Sequence, residues 1–549
     1  MIDPADFNVL AGTFKAIAQE MSDILQRAAY SSIVREAKDC STCIMDAEGR
    51  TVAQAETIPI HMNSLAAAVP FIRERYDFSE LTPTDAFVTN NPYQNGQHLN
   101  DIIFLMPVFQ GGRLAAFAGS ICHHLEVGGA VAGSNADASE IFQEGLILPT
   151  MKINIEKDLG DGPVEQIIAN NVRLPEIVLG DFHAQIAAVM RGRELLRDLF
   201  DRFGENLAAS AMAEVQDYSE RMMRQVIAQL PDGEYFGEDQ LDGRTFNAPK
   251  PVVRARVSIT GDQASVDFTG TDDQVRWPVN NPVASTHSAV LTVFGQLAGA
   301  DVPTNDGTYR PIHISTRPGS LLHPTRPAPV RGRMSASYRA ASAVKRALAN
   351  AAPERFTAAG ADTTNTVTMS HREGDNVSMF AEIIMGGNGA GPGYDGADVV
   401  AQMLSNTGNT PVEAIEMDHD FVRIGEYSMI TDSGGAGEFR GGLGARRTYE
   451  ILRDEVLLST NSDRHESRPW SLAGGGEGSL ARFTVERNGQ CERIPAATNL
   501  FLNAGDKLVV EISGGGGYGD PTRRERDAVR QDVSCGYVSA ERARDIYGL

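Results

Sequence analysis

Two apolar runs on either side of one tight turn constrain this chain more than any other feature. They are IIFLMPVF (residues 102–109) and RLAAFAGSIC (residues 113–122), separated by Gln110-Gly111-Gly112. Long apolar runs joined by a Gly-Gly turn read as the two strands of a β-hairpin. With the turn at Gly111-Gly112, opposed residues have numbers summing to about 223, so His123 faces residue 100 and His98 faces residue 125. Opposed side chains in an antiparallel pair lie about 5 Å apart at Cβ. The hairpin therefore gathers His98 and Asp101, from QHLND ahead of the first strand, with His123 at the end of the second. Two imidazoles and one carboxylate suit a divalent Zn, Mn or Fe ion with positions left open. Solvated His and Asp are also common at sheet ends, and a bulge in so long a strand would move the register.

The rest of the chain reads as α+β, a mixed multi-domain arrangement with largely antiparallel sheets. Residues 4–30 carry Phe7, Leu10, Phe14, Ile17, Met21, Ile24 and Ala28 at helical spacing, and Asp3-Pro4 is a helix start. Residues 40–53 suit a hairpin, 63–76 a helix and 85–90 a strand. A long helical stretch is expected over 184–230 and antiparallel strands over 252–268. Residues 335–352 read as helix and 377–385 as strand. The C-terminal part is short strands between glycine clusters at 386–393, 434–444, 474–478 and 514–519, where glycine is expected to permit positive φ in turns. Boundaries are expected near 232 and 325. They divide the chain into a catalytic, metal-binding region (1–232), an antiparallel β region (233–325) and a mixed, Gly-rich β region (326–549).

Composition narrows function. The chain has 549 residues, 22% of them charged, and a formal net charge of −23. Such acidity disfavours nucleic acid and anionic lipid as partners. The opening MIDPADF is not expected to act as a signal peptide, and no stretch of about 18 residues is apolar throughout. Five cysteines are too few and too scattered for a secreted disulfide scaffold, so a cytoplasmic protein is expected. Cys40 and Cys43 form a lone CxxC, a weak signal for metal. His61, in IPIHMNS, is either a site residue or a polar residue near a helix start. No Gly-Lys pair is present, which excludes a Walker-type phosphate loop, and there is no GxSxG. GGNGAGPG does not fit GxGxxG.

Several long segments together are similar to the hydantoinase B/oxoprolinase family. They are REAKDCSTCIMDAEG (35–49), NNPYQNGQHLNDIIFLMPVF (90–109), CHHLEVGG (122–129), FQEGLILP (142–149), LPEIVLGDFHAQIAA (174–188), SNTGNTPVEAIE (405–416) and SGGGGYGDP (513–521). The resemblance covers nearly the whole chain. It implies a metal site at His98, Asp101 and His123 and adds Asp39 as a fourth ligand. Asn91, Asn95 and Glu126 replace an Asp, a Gly and an Asp of the family pattern, which leaves the ligand positions intact. The resemblance further implies ATP chemistry on a separate A-type subunit in a hetero-oligomer, with this chain completing hydrolysis of a phosphorylated cyclic amide. His124 and Glu144 are then the candidates for proton transfer, on position and chemistry. Two other readings stand beside this one. The family also includes ketone carboxylase subunits, though those chains tend to be longer, and a non-catalytic assembly subunit would show no bound metal.

Overall fold

The computed structural model describes residues 2–55, 57–62, 64–133 and 135–549. Helix α1 (Pro4–Ala28) starts as the sequence requires: the Asp3 carboxylate accepts the Ala5 N–H at 2.8 Å, just ahead of Pro4. Its stripe of Leu10, Phe14, Ile17, Met21 and Leu25 is buried.

That stripe packs on a six-stranded antiparallel sheet of β1 (Cys40–Asp46), β2 (Thr51–Gln54), β3 (Asp85–Thr89), β4 (Asp101–Gln110), β5 (Arg113–His123) and β6 (Met151–Asn154). The order is β2-β1-β5-β4-β3-β6. Both faces are covered, which explains why the β4 run is apolar at consecutive positions. Ile102, Phe104 and Met106 point to the side of α1 and of α3 (Pro175–Phe203). Ile103 and Leu105 point the other way, against Leu65 and Ile72 of α2 (Ser64–Arg75). The helical stretch expected over 184–230 is two helices, because Gly204 adopts φ 82 and ψ 142 between α3 and α4 (Glu205–Ile227). A left-handed φ of this kind costs glycine nothing sterically.

The second sheet is β10-β9-β8-β7, from β7 (Gly233–Gln240), β8 (Val252–Thr260), β9 (Gln263–Asp267) and β10 (Ile312–Ser315). The alternation read from the sequence is real: Val253, Ala255, Val257 and Ile259 are buried and the residues between them are not. They face a core shared with α5 (Val283–Ala298) and α6 (Met334–Ala349). The edge pair β9–β10 is parallel, the exception in an otherwise antiparallel arrangement.

Beyond α6, a four-stranded sheet contains Asn365–Glu373, Asn376–Ile384, Val456–Asn461 and Thr498–Leu502. A five-stranded sheet contains Val422–Met429, Ala445–Ile451, Arg482–Arg487, Gln490–Ile494 and Lys507–Glu511. The two share one core.

The glycine clusters lie beside this core and serve only in part as turns. Gly435 N–H donates to Gly515 O at 2.8 Å, Gly515 N–H to Gly442 O at 2.9 Å, Gly442 N–H to Asn388 O at 2.8 Å and Gly517 N–H to Gly476 O at 2.9 Å. Four segments distant in sequence thus run backbone against backbone. Within 514–519 only Gly519 has a positive φ. A Cβ at Gly387, Gly441, Gly442 or Gly515 would fall on a neighbouring carbonyl oxygen. Close approach is what demands glycine at these four positions, while Gly393, Gly474 and Gly519 have the positive φ expected of turn glycines. No helix of the described residues is long and apolar enough to cross a membrane.

Candidate metal centre

The β4–β5 hairpin forms as expected, but one residue out of the simple register. A bulge between Val108 and Phe109 shifts the pairing, so opposed numbers from Asp101↔His123 to Val108↔Ala116 sum to 224. His123 therefore faces Asp101 rather than residue 100. His98 enters from the turn before β4, where its carbonyl accepts the Asp101 N–H at 2.9 Å.

Three donor atoms converge. His98 Nε2 and His123 Nδ1 each lie 3.0 Å from Asp101 Oδ1 and 3.1 Å from one another. This trio is the group able to hold a metal ion among the described residues. Asp101 has no solvent exposure. Burial works to raise its pKa, but His98, Arg333 and the hydrogen bond from His123 bring it well below the usual carboxylate range. Burial takes His98 well below its ordinary value. The chain thus presents a carboxylate held between a guanidinium and two imidazoles, a donor set that suits a cation.

Asp39 sits at the edge of this group. Its carbonyl accepts the His123 N–H at 3.0 Å, and its Oδ2 is 3.9 Å from His123 Nδ1. His61 closes another side. Its Nδ1 lies 3.2 Å from Ser41 Oγ, and its Nε2 lies 3.8 Å from Asp39 Oδ1 and 3.9 Å from Asp101 Oδ2. That Nε2 is buried with no hydrogen-bond partner among the described residues. An orphaned buried imidazole nitrogen facing two carboxylates fits a site built for a further group.

The two candidates for proton transfer lie elsewhere. Successive side chains on a strand point to opposite faces, so His124 turns away from His123. Its Nε2 lies 2.8 Å from Gln185 Oε1 on α3, and its ring is fully buried near Phe182. Glu144 is also buried, and its carboxylate accepts the N–H groups of Val330 (3.1 Å) and Arg331 (2.8 Å). Burial raises its pKa to about 8. Neither residue lines the cavity at the trio. Glu144 acts on that cavity at one remove, by pinning the backbone that carries Arg331.

Sequence reasoning missed Arg331 and Arg333. Arg331 Nη1 donates to His98 Nδ1 at 3.0 Å, and Arg333 Nη2 pairs with Asp101 Oδ2 at 2.5 Å. The sequence signal was the RGR triplet directly before α6. Both arginines line a cavity of about 70 Å³ together with Asp39, His61, His98, Asp101 and His123. Its remaining wall includes Thr364, Ile383 and Ser405, so the cavity lies where the first sheet, the approach to α6 and the C-terminal sheets meet. A site at such a junction can bind a small molecule and exclude water.

The comparisons agree with this architecture. The model of the family described as hydantoinase B/oxoprolinase matches residues 3–521. The β subunit of caprolactamase from Pseudomonas jessenii is 30% identical, and the alignment covers all of this chain and 96% of the relative. The crystal structure of ATP-dependent caprolactamase from that organism superposes with a TM-score of 0.92 over the whole chain and 96% of the solved chain, at 29% identity. A 5-oxoprolinase of Pestalotiopsis fici is 30% identical over 97% of this chain, which spans 43% of that longer protein. Nucleotide-free acetone carboxylase shares the fold, with a TM-score of 0.90 over all of this chain and 79% of the solved chain, at 20% identity. On the strength of a match running almost end to end, the chain belongs to the hydantoinase B/oxoprolinase family.

Proposed function

We propose that this chain is the metal-bearing B-type subunit of an ATP-dependent cyclic amidohydrolase. In this reading an A-type partner subunit binds ATP and phosphorylates a ring amide of the hydantoin, 5-oxoproline or lactam class, and this chain completes the hydrolysis. The observation that carries it is the convergence of His98, Asp101 and His123 within 3.1 Å in a buried cavity. These three residues would hold Zn, Mn or Fe, with Asp39 and His61 beside them. A divalent cation there supplies Lewis acidity toward a carbonyl and lowers the pKa of water.

The chain's own residues do the rest. Asp101 is shared between the trio through Oδ1 and Arg333 through Oδ2, which fixes its orientation. His61, with Nε2 directed toward Asp39 and Asp101, is placed to exchange a proton with a molecule in the cavity. Glu144 holds the 330–331 backbone in place. The caprolactamase relative is named as a subunit, which supports a hetero-oligomer. Free cysteines, with Cys491 and Cys535 exposed, suit a reducing cytoplasm.

The test is ATP turnover by the chain copurified with its A-type partner. Hydantoins, 5-oxoproline, lactams and ketones are offered in turn, with bicarbonate varied and the metal content measured. Ring-amide-dependent turnover that stops on metal removal is the expected result. Turnover only with a ketone and bicarbonate would replace this reading with a carboxylase. A fully active chain free of metal would overturn the metal centre.

A further inference from the structure

The N-terminus of α6 opens into the same cavity. Gly332, Arg333 and Met334 line it, and the helix has no side-chain cap. The N-terminus of this 16-residue helix presents the positive end of a dipole, while its Arg333 and Ser335 N–H groups donate to the Val330 and Gly332 carbonyls at 3.0 and 3.3 Å. The side chains around it carry unused donors. Nε of Arg331, Nε of Arg333 and Oγ of Ser335 are buried without a partner among the described residues. Arg333 and Ser335 are each 2% exposed.

Arg331 has a further reason to be available. It now donates to Nδ1 of His98. An imidazole that ligates through Nε2 carries its proton on Nδ1, and an N–H offers nothing to a guanidinium donor. Loading the trio therefore frees Arg331. A divalent cation and two guanidiniums then outweigh Asp39 and Asp101 by two positive charges in a cavity of about 70 Å³, and a dianion restores the balance.

We propose that Arg331, Arg333 and the N-terminus of α6 form the phosphoryl-binding half of this site, taking a dianionic phosphate group on the activated substrate. The proposal rests on the reading above and assigns the part of the substrate that reaches this half. Phosphate suits the donor set because a guanidinium fork and helix N–H groups both match its oxygens.

The test titrates inorganic phosphate calorimetrically into the full chain, with and without Mn²⁺ as the loading ion. Wild type, Arg331→Gln and Arg331→Lys are compared, with acetate as a monoanionic control. Phosphate should bind the loaded wild type, and Arg331→Gln should weaken it by about tenfold or more, the scale of losing charge-assisted hydrogen bonds. Arg331→Lys should recover part of the loss, and acetate should bind more weakly than phosphate. Protection of Arg331 from phenylglyoxal by phosphate, mapped by mass spectrometry on the wild type, reads the same contact without a variant. Equal phosphate affinity in wild type and Arg331→Gln, or no protection of Arg331, overturns the proposal. A chain that takes up Mn²⁺ but shows no Arg331-dependent phosphate binding sinks this assignment alone. A chain that takes up none of Mn²⁺, Zn²⁺ and Fe²⁺ but keeps that dependence sinks the metal reading alone.

Discussion

Asp101 and His123 are direct cross-strand partners at the open end of the β4–β5 hairpin, with Asp101 Oδ1 3.0 Å from His123 Nδ1. The pairing depends on one bulge, at Val108/Phe109, far down the ladder. Without it, His123 would oppose Asn100, whose side chain instead donates to the His124 carbonyl at 2.7 Å. A local irregularity in the strands thus sets which residues meet at the site.

Asp101→Asn should strip the centre of its negative donor while keeping its shape. Metal content after dialysis against a limiting concentration of Mn²⁺ or Zn²⁺ should fall by about tenfold or more, with His98→Ala and His123→Ala behaving alike. Elemental analysis of the purified chains decides it. Unchanged metal content in all three variants would remove the trio from consideration.

Glu144 gives the site a pH signature. Its carboxyl has a raised pKa of about 8 against an ordinary 4.5, so the folded chain holds a proton that the unfolded chain has released. Its favourable contribution is whole below about pH 4.5 and is lost as pH rises through about 8. Glu144→Gln can accept only one of the two backbone N–H groups, so near neutral pH it should cost about 1 kcal/mol. As pH rises from about 5 to about 9 the wild type should lose stability relative to the variant. Melting temperatures of both proteins across that range test the sign.

A buried ionic network joins the second sheet to the C-terminal region. Arg339, fully buried, lies 3.2 Å from Asp239 and 3.5 Å from Asp463, and Arg464 lies 2.9 Å from Asp239. Arg339→Met leaves Asp463 buried without its counter-charge, while Asp239 keeps Arg464, a loss of about 3–5 kcal/mol. Adding Asp463→Asn should restore part of it. Denaturant titration of both variants measures the coupling.

The glycine clusters make a paired prediction. Gly515→Ala places a Cβ on the Asn388 carbonyl and should lower the melting temperature or prevent folding. Gly12→Ala, in α1 with nothing within 4 Å of the added Cβ, should stabilise by roughly 0.5–1 kcal/mol. Destabilisation by Gly12→Ala, or tolerance of Gly515→Ala, would contradict the packing described above.

Periodicity and punctuation along the chain were enough to determine α1 with its Asp3 cap, the β4–β5 hairpin, the alternation in β8 and β9, and the meeting of His98, Asp101 and His123. Each is local, or joins residues across one turn, and so follows from 3.6- and 2-residue periods and from turn chemistry. The bulge that sets the register is a matter of how strands fit the sheet around them. The direction of His124 follows from strand alternation once β5 is known to reach His123. The placing of Arg331 and Arg333 on His98 and Asp101 crosses more than 200 residues of sequence. The glycine clusters carry no record of their partners, because backbone packed against backbone has no side chain to leave a pattern. Contacts of that range are chosen by how separate cores pack together, and only the tertiary structure decides them.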